Sequence, residues 1–185
     1  MFGEPLRLDD VFGPDAAVVL DIGFGGGEGL IEMASARPRE CIIGVEVHTP
    51  GVAKVIDAAE SNEWEHVRLV EGDVLDFLPR LLPGSLSGVR IWFPDPWLKR
   101  KQQHRRIVRP SVTGLLVDRL RVGGTLHVAT DIAEYAKQAV GVLDAEHRLR
   151  GGVVPRPEWR PETRFERRGL AEGRTPTDLI YERIT

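Results

Sequence analysis

The sequence predicts one α/β domain whose mostly parallel central sheet is covered by helices on both faces. Short apolar runs alternate with stretches in which apolar residues recur at helical spacing, and such alternation is typical of βαβ units. The 185 residues, 42% of them apolar, suffice for one core and are few for two. In such sheets ligands bind beyond the carboxyl ends of the strands, so the residues after each strand form the candidate site.

Three strand–helix pairs are predicted in the first half of the chain, after a lead-in of about residues 1–15. The apolar runs predict strands over residues 17–22, 41–47 and 67–70. Helical spacing predicts a helix that begins near residue 30 and two more over residues 51–59 and 74–82. Pro83 and Gly84 should stop the third helix, because neither continues a helix well.

The sequence of the second half of the chain predicts a long loop and three further strands. A strand over residues 89–93 leads into a loop over residues 94–110 that is rich in proline and basic residues. The pattern then predicts a helix over residues 111–120, a break at Gly123-Gly124, a strand over residues 125–129 and a helix from about Asp131 to Leu143. A last apolar run predicts a strand over residues 178–184.

The composition excludes several classes of protein. Cys41 is the single cysteine, so neither an intrachain disulfide nor a cysteine-rich zinc site can form, and a reducing, cytoplasmic setting is expected. No apolar run approaches the ~18 residues of a membrane span, and residues 1–10 lack the basic flank and apolar stretch of a signal peptide. We expect no membrane association and no metal site.

Charge is distributed unevenly along the chain. The formal net charge is −3, but residues 1–98 carry 7 Lys and Arg against 17 Asp and Glu, whereas residues 99–185 carry 18 against 11. The second half can therefore present a basic face to a nucleic acid, although the overall charge balance argues against such a partner.

The segment after the first predicted strand, residues 21–29, is rich in glycine. Gly23, Gly25 and Gly27 permit positive φ angles and a close approach of the backbone to a ligand. Glu28 replaces the third glycine of the dinucleotide fingerprint, and an acid at a helix start repels phosphate but tolerates a cationic ligand. A glycine-rich turn alone can also be purely structural.

Acidic residues at the ends of the first three strands point to a particular ligand. Asp21 can face a ligand ammonium, Glu46 can accept both hydroxyls of a ribose, and Asp73 is within reach of an exocyclic adenine amine. An ammonium, a ribose and an adenine together describe S-adenosylmethionine. Three acids at three successive strand ends favour this ligand over a structural turn.

The loop after the fourth predicted strand is the most informative segment. Pro94 and Pro96 restrict the backbone on both sides of Asp95, and Trp97 offers a stacking face. A basic run without an acid follows, and its position at the ligand-binding edge favours phosphate contacts over a merely solvated face. Its members are Lys99, Arg100, Lys101, Arg105, Arg106 and Arg109.

Five segments of the chain resemble the bacterial tRNA (guanine-N7)-methyltransferases, over a range from about Val18 to Arg183. They are Asp21-Ile-Gly-Phe-Gly25, Gly44-Val-Glu-Val-His-Thr-Pro-Gly51, Phe93-Pro-Asp-Pro-Trp97 with the basic run, Ala129-Thr-Asp131 and Thr163-Arg-Phe-Glu-Arg-Arg-Gly169. The second, third and fifth are specific to that family among methyltransferases. Two features depart from it: a longer segment commonly precedes the first strand, and Leu98 stands where proline or a polar residue is common.

The resemblance implies a Rossmann-like methyltransferase fold and S-adenosylmethionine as methyl donor. The implied product is 7-methylguanosine in the variable loop of tRNA, conventionally at position 46. The implied donor site consists of Asp21, Glu46, Asp73 and Asp95, and the glycine pattern adds Gly23 and Gly25. Methylation makes the purine cationic, so a carboxylate near the ring would stabilise it, and Asp95 is the catalytic candidate. The implied substrate contacts are Lys99, Asp131, Thr163, Arg164, Phe165 and Glu166. Candidates for contact with the tRNA backbone are Arg100, Lys101, Arg105, Arg106 and Arg109.

Several alternatives stay open on the sequence alone. Asp131 precedes a predicted helix and can serve as its N-cap, and residues 163–166 can be an ordinary loop. A nicotinamide-dependent oxidoreductase and a non-catalytic tRNA-binding subunit are the alternative functions. Glu28 and the basic run argue against the first, and the retained acids argue against the second. We expect tRNA as partner, no obligate protein partner, and a monomer or homodimer.

Overall fold

The computed structural model describes residues 5–185, and the start of the predicted lead-in, residues 1–4, lies outside them. The strands are β1 (Val18–Ile22), β2 (Cys41–Glu46), β3 (Val67–Glu71), β4 (Leu86–Trp92), β5 (Leu120–Thr130), β6 (Leu149–Val154) and β7 (Thr177–Arg183). They form one seven-stranded sheet in the order β3-β2-β1-β4-β5-β7-β6. Strands β1 to β5 pair in parallel, and β7 runs antiparallel to its neighbours β5 and β6. The predicted, mostly parallel sheet is confirmed.

Helices occupy most of the connections between the strands. They are α1 (Leu8–Phe12), α2 (Glu28–Ala36), α3 (Thr49–Ser61), α4 (Val74–Phe77), α5 (Pro110–Arg119), α6 (Ala133–Asp144) and α7 (Arg164–Ala171). Short 3-10 helices cover Leu78–Arg80 and Arg100–Arg105. Within residues 5–185, none of the helices combines the length and apolar character needed to cross a membrane.

The helices pack on both faces of the sheet, as the alternating pattern predicts. Ile42 and Ile43 are successive, buried residues of β2, yet they belong to different apolar clusters. One cluster includes Leu30 of α2 and Val55 of α3, and the other includes Leu116 of α5. A strand that is buried on both faces has a continuous apolar sequence, which is why β1 and β2 can be located from sequence alone.

Two predicted breaks differ from the structure. Gly123-Gly124 does not interrupt β5, because the β4–β5 register shifts there and the extra residues form a bulge with Gly123 at φ +79°. Helix α4 ends at Phe77 rather than near residue 82. The reason is that Pro79 cannot donate a backbone hydrogen bond, and the chain continues as a 3-10 helix.

The sequence pattern does not predict α1, β6 or α7. Helix α7 nevertheless carries the sequence signature of a helix start, a threonine followed three residues later by a glutamate. The Thr163 Oγ1 atom accepts a hydrogen bond from the Glu166 N–H at 3.1 Å. Residues 163–166 therefore begin a helix, and the alternative of an ordinary loop is wrong.

Candidate active site

The carboxyl ends of β1 to β4 border a cavity of about 480 Å³, called here the main cavity. This volume lies within the roughly 300–1,000 Å³ typical of small-molecule sites. Gly23, Glu46, Asp73 and Asp95, each from a different strand end, line it. The structure thus brings together, at the predicted edge of the sheet, residues that are far apart in the chain.

The glycine-rich loop forms one wall of the main cavity. Gly23, Gly25 and Gly27 adopt φ angles of +71°, +60° and +84°, as the glycine pattern predicts. The start of α3 packs directly on this loop, since a Cβ atom added at Gly51 would lie 1.7 Å from the Gly25 carbonyl oxygen. Helix α3 therefore supports the glycine-rich loop by direct backbone contact.

Glu46, at the end of β2, is buried and lines the main cavity. Its carboxylate accepts hydrogen bonds from the backbone N–H groups of Gly25 at 2.6 Å, Val47 at 2.7 Å and His48 at 2.9 Å. Sequence reasoning assigns Glu46 to ligand binding only. The structure adds a second role, because the same carboxylate fixes the glycine loop and the turn into α3.

Asp73, at the end of β3, also lines the main cavity. Its Oδ1 atom accepts a hydrogen bond from the Leu75 N–H at 2.8 Å and so caps α4. The side chain is exposed, and its position is compatible with the expected contact to an adenine amine through the other carboxylate oxygen.

Asp21 lies behind the glycine loop, in a smaller space that Trp92, Thr163 and Phe165 also line. The residue is 3% exposed, and burial raises its pKa from 3.8 to about 6, although Arg90 acts in the opposite direction. The ionised form is therefore costly even beside Arg90, and a ligand ammonium close to the carboxylate would reduce that cost, which gives the expected ammonium contact a physical basis.

Asp21→Asn is expected to stabilise the protein at neutral pH. The carboxyl pKa is about 6 in the folded protein and about 3.9 in an unfolded chain. The folded state holds the proton more tightly, so stability falls as the pH rises from about 4 to about 6. The ionised side chain costs about 3 kcal/mol at pH 7 and about 1 kcal/mol at pH 4.5.

Urea unfolding of the wild type and Asp21→Asn at these two pH values measures the effect. The stability gained by the variant should be larger at pH 7. Asp57→Asn, at an exposed position of α3, is the control and should show no such dependence. Equal gains for Asp21→Asn at both pH values would contradict the raised pKa.

Asp95 lies in a constrained loop after β4. Phe93 and Trp97 adopt φ angles of +53° and +43°, which are unusual for residues other than glycine. The Arg106 Nε–H donates to the Pro96 carbonyl oxygen at 2.8 Å and holds the loop in place. Asp95 lines the main cavity and also a second cavity of about 290 Å³. Asp95 is thus a lining residue of two adjacent cavities.

The second cavity is lined by Asp131, Phe165, Arg168 and Arg174, among others. Asp131 does not cap α6, so that alternative is wrong: its Oδ2 atom accepts a hydrogen bond from the Arg174 Nε–H at 2.6 Å. Phe165 is 47% exposed and lines the main cavity as well. The structure therefore brings Asp131 and Phe165 to the same cavity as Asp95.

Glu166 requires a correction, because it is 1% exposed and is not among the residues that line the two cavities. Its carboxylate accepts from Arg156 Nε at 2.8 Å and from two guanidinium nitrogens of Arg160, both at 2.7 Å. Burial opposes ionisation, but the two arginines outweigh it and hold the pKa of Glu166 below its usual value. Glu166 anchors α7, while Thr163 caps it and Arg164 lines the main cavity.

The basic run contains one buried member, and the expected tRNA contact of that residue is corrected. Arg106 is 1% exposed, and its guanidinium donates to both carboxylate oxygens of Glu134, at 3.1 and 2.6 Å. A guanidinium held in this way is not available to a phosphate. Lys99, Arg100 and Lys101, in contrast, are exposed.

The two remaining arginines of the run make contacts within the protein. The Arg105 guanidinium carbon lies 4.9 Å from the centroid of the Trp97 ring, and both residues line the main cavity. The Arg109 Nη1–H donates to the His104 carbonyl oxygen at 2.7 Å. Arg105 is still exposed, and Arg109 is partly so.

A buried polar network that the sequence does not predict lies beneath the site. Trp92 Nε1–H donates to His127 Nδ1 at 3.1 Å, so His127 Nε2 carries the ring proton and donates to Asp178 at 2.7 Å. Burial lowers the pKa of His127, although Asp178 acts in the opposite direction. Arg160 pairs with both Asp178 and Glu166, and so ties β7 to α7.

Relatives that match nearly the whole chain were found by sequence comparison. The tRNA (guanine-N(7)-)-methyltransferase of Xanthomonas campestris pv. campestris is 46% identical over 187 residues, which cover 98% of this chain and 72% of the relative. The chain belongs to the tRNA (guanine-N7)-methyltransferase family. A member of the family from Halorhodospira halophila is 46% identical over 182 residues, which cover 95% of this methyltransferase and 79% of the relative. A family described as "Putative methyltransferase" matches residues 15–179.

Solved structures show the fold of this methyltransferase. The 16S rRNA methyltransferase KamB matches with a TM-score of 0.70 at 16% identity, covering 96% of this chain and 93% of KamB. An rRNA methylase from Streptococcus thermophilus matches with a TM-score of 0.62 at 15% identity, covering 100% of this chain and 99% of that one. The predicted Rossmann-like methyltransferase fold is confirmed. Fold and family together imply a methyl donor of the S-adenosylmethionine type.

Proposed function

We propose that this methyltransferase transfers a methyl group from S-adenosylmethionine to N7 of a guanosine in the variable loop of tRNA, position 46, forming 7-methylguanosine. The observation that carries the proposal is the position of Asp95 at the boundary between two adjacent cavities. In this proposal the main cavity holds the methyl donor and the second cavity holds the base. The names of the relatives support the choice of tRNA and of guanine N7.

The side chains around the main cavity fit S-adenosylmethionine. Glu46 would accept hydrogen bonds from the ribose hydroxyls, and Asp73 from the adenine amine. Gly23 and Gly25 would lie against the amino-acid part, with Asp21 behind the loop favouring its ammonium group. When bound, S-adenosylmethionine supplies an electrophilic methyl group attached to a sulfonium.

The reaction needs no general base, because N7 of neutral guanine has a free lone pair. The protein therefore contributes position and electrostatics. The purine becomes cationic as it is methylated, and a carboxylate next to the ring stabilises that charge. We assign this role to Asp95, and its position as a lining residue of both cavities supports the assignment.

We assign the second cavity to the guanine base. The Asp131 carboxylate would accept hydrogen bonds from guanine N1–H and N2–H, a donor pair that adenine lacks. Phe165 offers an exposed ring for contact with the base. Lys99 would donate to O6 or hold a phosphate, and Arg164, beside Phe165, would contact the nucleotide.

Access to N7 requires the base to leave the stacked tRNA core, at a cost of roughly a few kcal/mol. Contacts between the exposed basic residues and the tRNA backbone would offset this cost. Arg100, Lys101, Arg105 and the partly exposed Arg109 are the candidates. We further propose that the chain works as one domain in the cytoplasm, as a monomer or homodimer without an obligate protein partner.

Transfer of a labelled methyl group to bulk tRNA, followed by mapping of the modified base, tests the proposed function. The expected product is 7-methylguanosine in the variable loop. Thermal melting with each cofactor adds a second readout: S-adenosylmethionine should raise the melting temperature, and NADH should not. Label on another base, or stabilisation by NADH alone, would refute the proposal.

Glu46→Ala is expected to weaken donor binding by about 1.5–3 kcal/mol, the cost of losing a hydrogen bond to a charged group. Titration calorimetry with S-adenosylmethionine measures this change. Glu71→Ala is the matched control, because Glu71 ends the neighbouring strand and binds Thr49 without lining the main cavity. Equal donor affinities for Glu46→Ala and the wild type would remove Glu46 from the donor site.

A further inference from the structure

Arg174 lines the second cavity, and the sequence analysis assigns it no role. Its Nε–H donates to Asp131 Oδ2 at 2.6 Å, across 43 positions of the chain. Its Nη1 nitrogen pairs with Glu172, which also pairs with Arg168 at 2.9 Å. The guanidinium of Arg174 is thus held between two carboxylates, and one of them is the proposed base-recognition residue.

The backbone at the end of α7 determines where Arg174 lies. Gly173 adopts a φ angle of +77°, and its N–H donates to the Leu170 carbonyl oxygen at 3.0 Å. The Arg174 N–H donates to the Gly169 carbonyl oxygen at 2.8 Å. These two bonds are those of a Schellman motif, which reverses the chain at a helix end. The reversal brings Arg174 back toward Asp131.

A second contact restrains the same carboxylate. A Cβ atom added at Gly169 would lie 2.4 Å from Asp131 Oδ2, so the oxygen rests against the backbone of α7. The Oδ2 atom is therefore fixed by Arg174 on one side and by Gly169 on the other. Within residues 5–185, Asp131 Oδ1 has no hydrogen-bond partner, although the side chain is only 12% exposed and lines the second cavity.

We propose that Arg174 is a positioning residue for base selection, which holds Asp131 Oδ2 and so aims the Oδ1 atom at the adjacent N1–H and N2–H donors of guanine. The inference rests on the proposed function and deepens it. Rotation of a carboxylate about its last torsion is only weakly restricted, so a carboxylate without a fixed partner samples many orientations. Recognition of two adjacent N–H groups requires one orientation, and Arg174 supplies the restraint.

The pairing of the ionisable groups around the second cavity is consistent with this role for Arg174. Asp95, Asp131 and Glu172 face it together with Arg168 and Arg174. The Nε and Nη1 atoms of Arg174 donate to the carboxylates of Asp131 and Glu172, respectively. Arg174 is thus occupied in holding Asp131 and its side chain is 33% exposed, whereas the side chain of Arg168, which pairs with Glu172, is 76% exposed.

The test compares tRNA transcripts that carry guanosine or inosine at the methylation position. Inosine keeps N7, O6 and N1–H but lacks the N2 amino group, so its reaction reports the contact with N2–H. The wild type should prefer guanosine in kcat/KM. Arg174→Ala should lower kcat/KM for the guanosine transcript by about 10- to 100-fold, the effect of losing one hydrogen bond to a charged group. The change for the inosine transcript should be much smaller, because inosine lacks the N2–H donor.

Two further variants separate positioning from folding and from general charge. Arg174→Lys keeps the charge and one donor, and it should recover part of the guanosine preference. Arg121→Ala removes an exposed arginine at the opposite edge of the sheet and should retain the full preference. Donor affinity and melting temperature should be close to those of the wild type in all three, because the Arg174 side chain is 33% exposed.

The outcomes distinguish this inference from the proposed function. If Arg174→Ala keeps the wild-type preference, or loses activity equally on both transcripts, then Arg174 does not orient Asp131 and the inference is wrong. If the wild type places no methyl group on guanosine N7, the proposed function fails and the inference fails with it.

Discussion

Asp95→Ala should lower the single-turnover rate of methyl transfer by about 100- to 1,000-fold, the effect of removing one preorganised electrostatic partner. Its effect on donor affinity should be much smaller. Positive charge reaches the purine only as the methyl group arrives, so a carboxylate beside the ring acts mainly on the transition state. The constrained loop between Pro94 and Pro96 keeps Asp95 in place before the reaction, which reduces the cost of reorganisation.

Single-turnover rates on donor-saturated enzyme, together with calorimetric donor affinities, measure the two effects separately. Asp95→Asn has nearly the same shape without the charge, so it should be slowed almost as much if charge is the cause. Asp57→Ala, on the exposed side of α3, serves as the control and should react at the wild-type rate. An unchanged rate for Asp95→Ala would show that Asp95 has only a structural or donor-binding role.

Replacement of Lys99, Arg100 and Lys101 by alanine should weaken tRNA binding and flatten its dependence on salt. Each phosphate neutralised contributes roughly 0.9 to the log–log salt slope on a duplex and roughly 0.7 on a single strand. Arg100 and Lys101 account for two lost contacts, and Lys99 for a third when it holds a phosphate, so the slope should fall by about one and a half to three units. These three residues are exposed and are not among those that line the main cavity. Arg106 is left unchanged, because its side chain is buried and its loss would break the ion pair with Glu134 rather than a tRNA contact.

Binding titrations at several salt concentrations measure the slope. The matched control replaces three exposed arginines at the amino edge of the sheet, Arg39, Arg80 and Arg121. The control should keep the wild-type slope, and donor affinity should be the same in both triple variants. A slope equal to the wild-type value in the first variant would show that this part of the basic run is only a solvated face.

The strand–helix order and the site edge can be predicted from sequence for a simple reason. Strands buried on both faces have continuous apolar sequences, and the carboxyl ends of parallel strands meet at one edge. Glu46, Asp73 and Asp95 are therefore predicted to lie together without any knowledge of their contacts, and they do line one cavity. Edge strand β6 escapes prediction, because its Gly151-Gly152 pair lacks the side chains that mark a strand.

The sequence by itself determines the fold class, the family and the set of polar residues at the carboxyl edge. Only the tertiary structure decides which of them are free to meet a ligand. Arg106 is occupied by Glu134, 28 positions away, and Asp131 is held by Arg174, 43 positions away. A charged side chain has the same local sequence whether it faces water or a distant partner. Its availability depends on packing between elements, and local spacing carries no information about that packing.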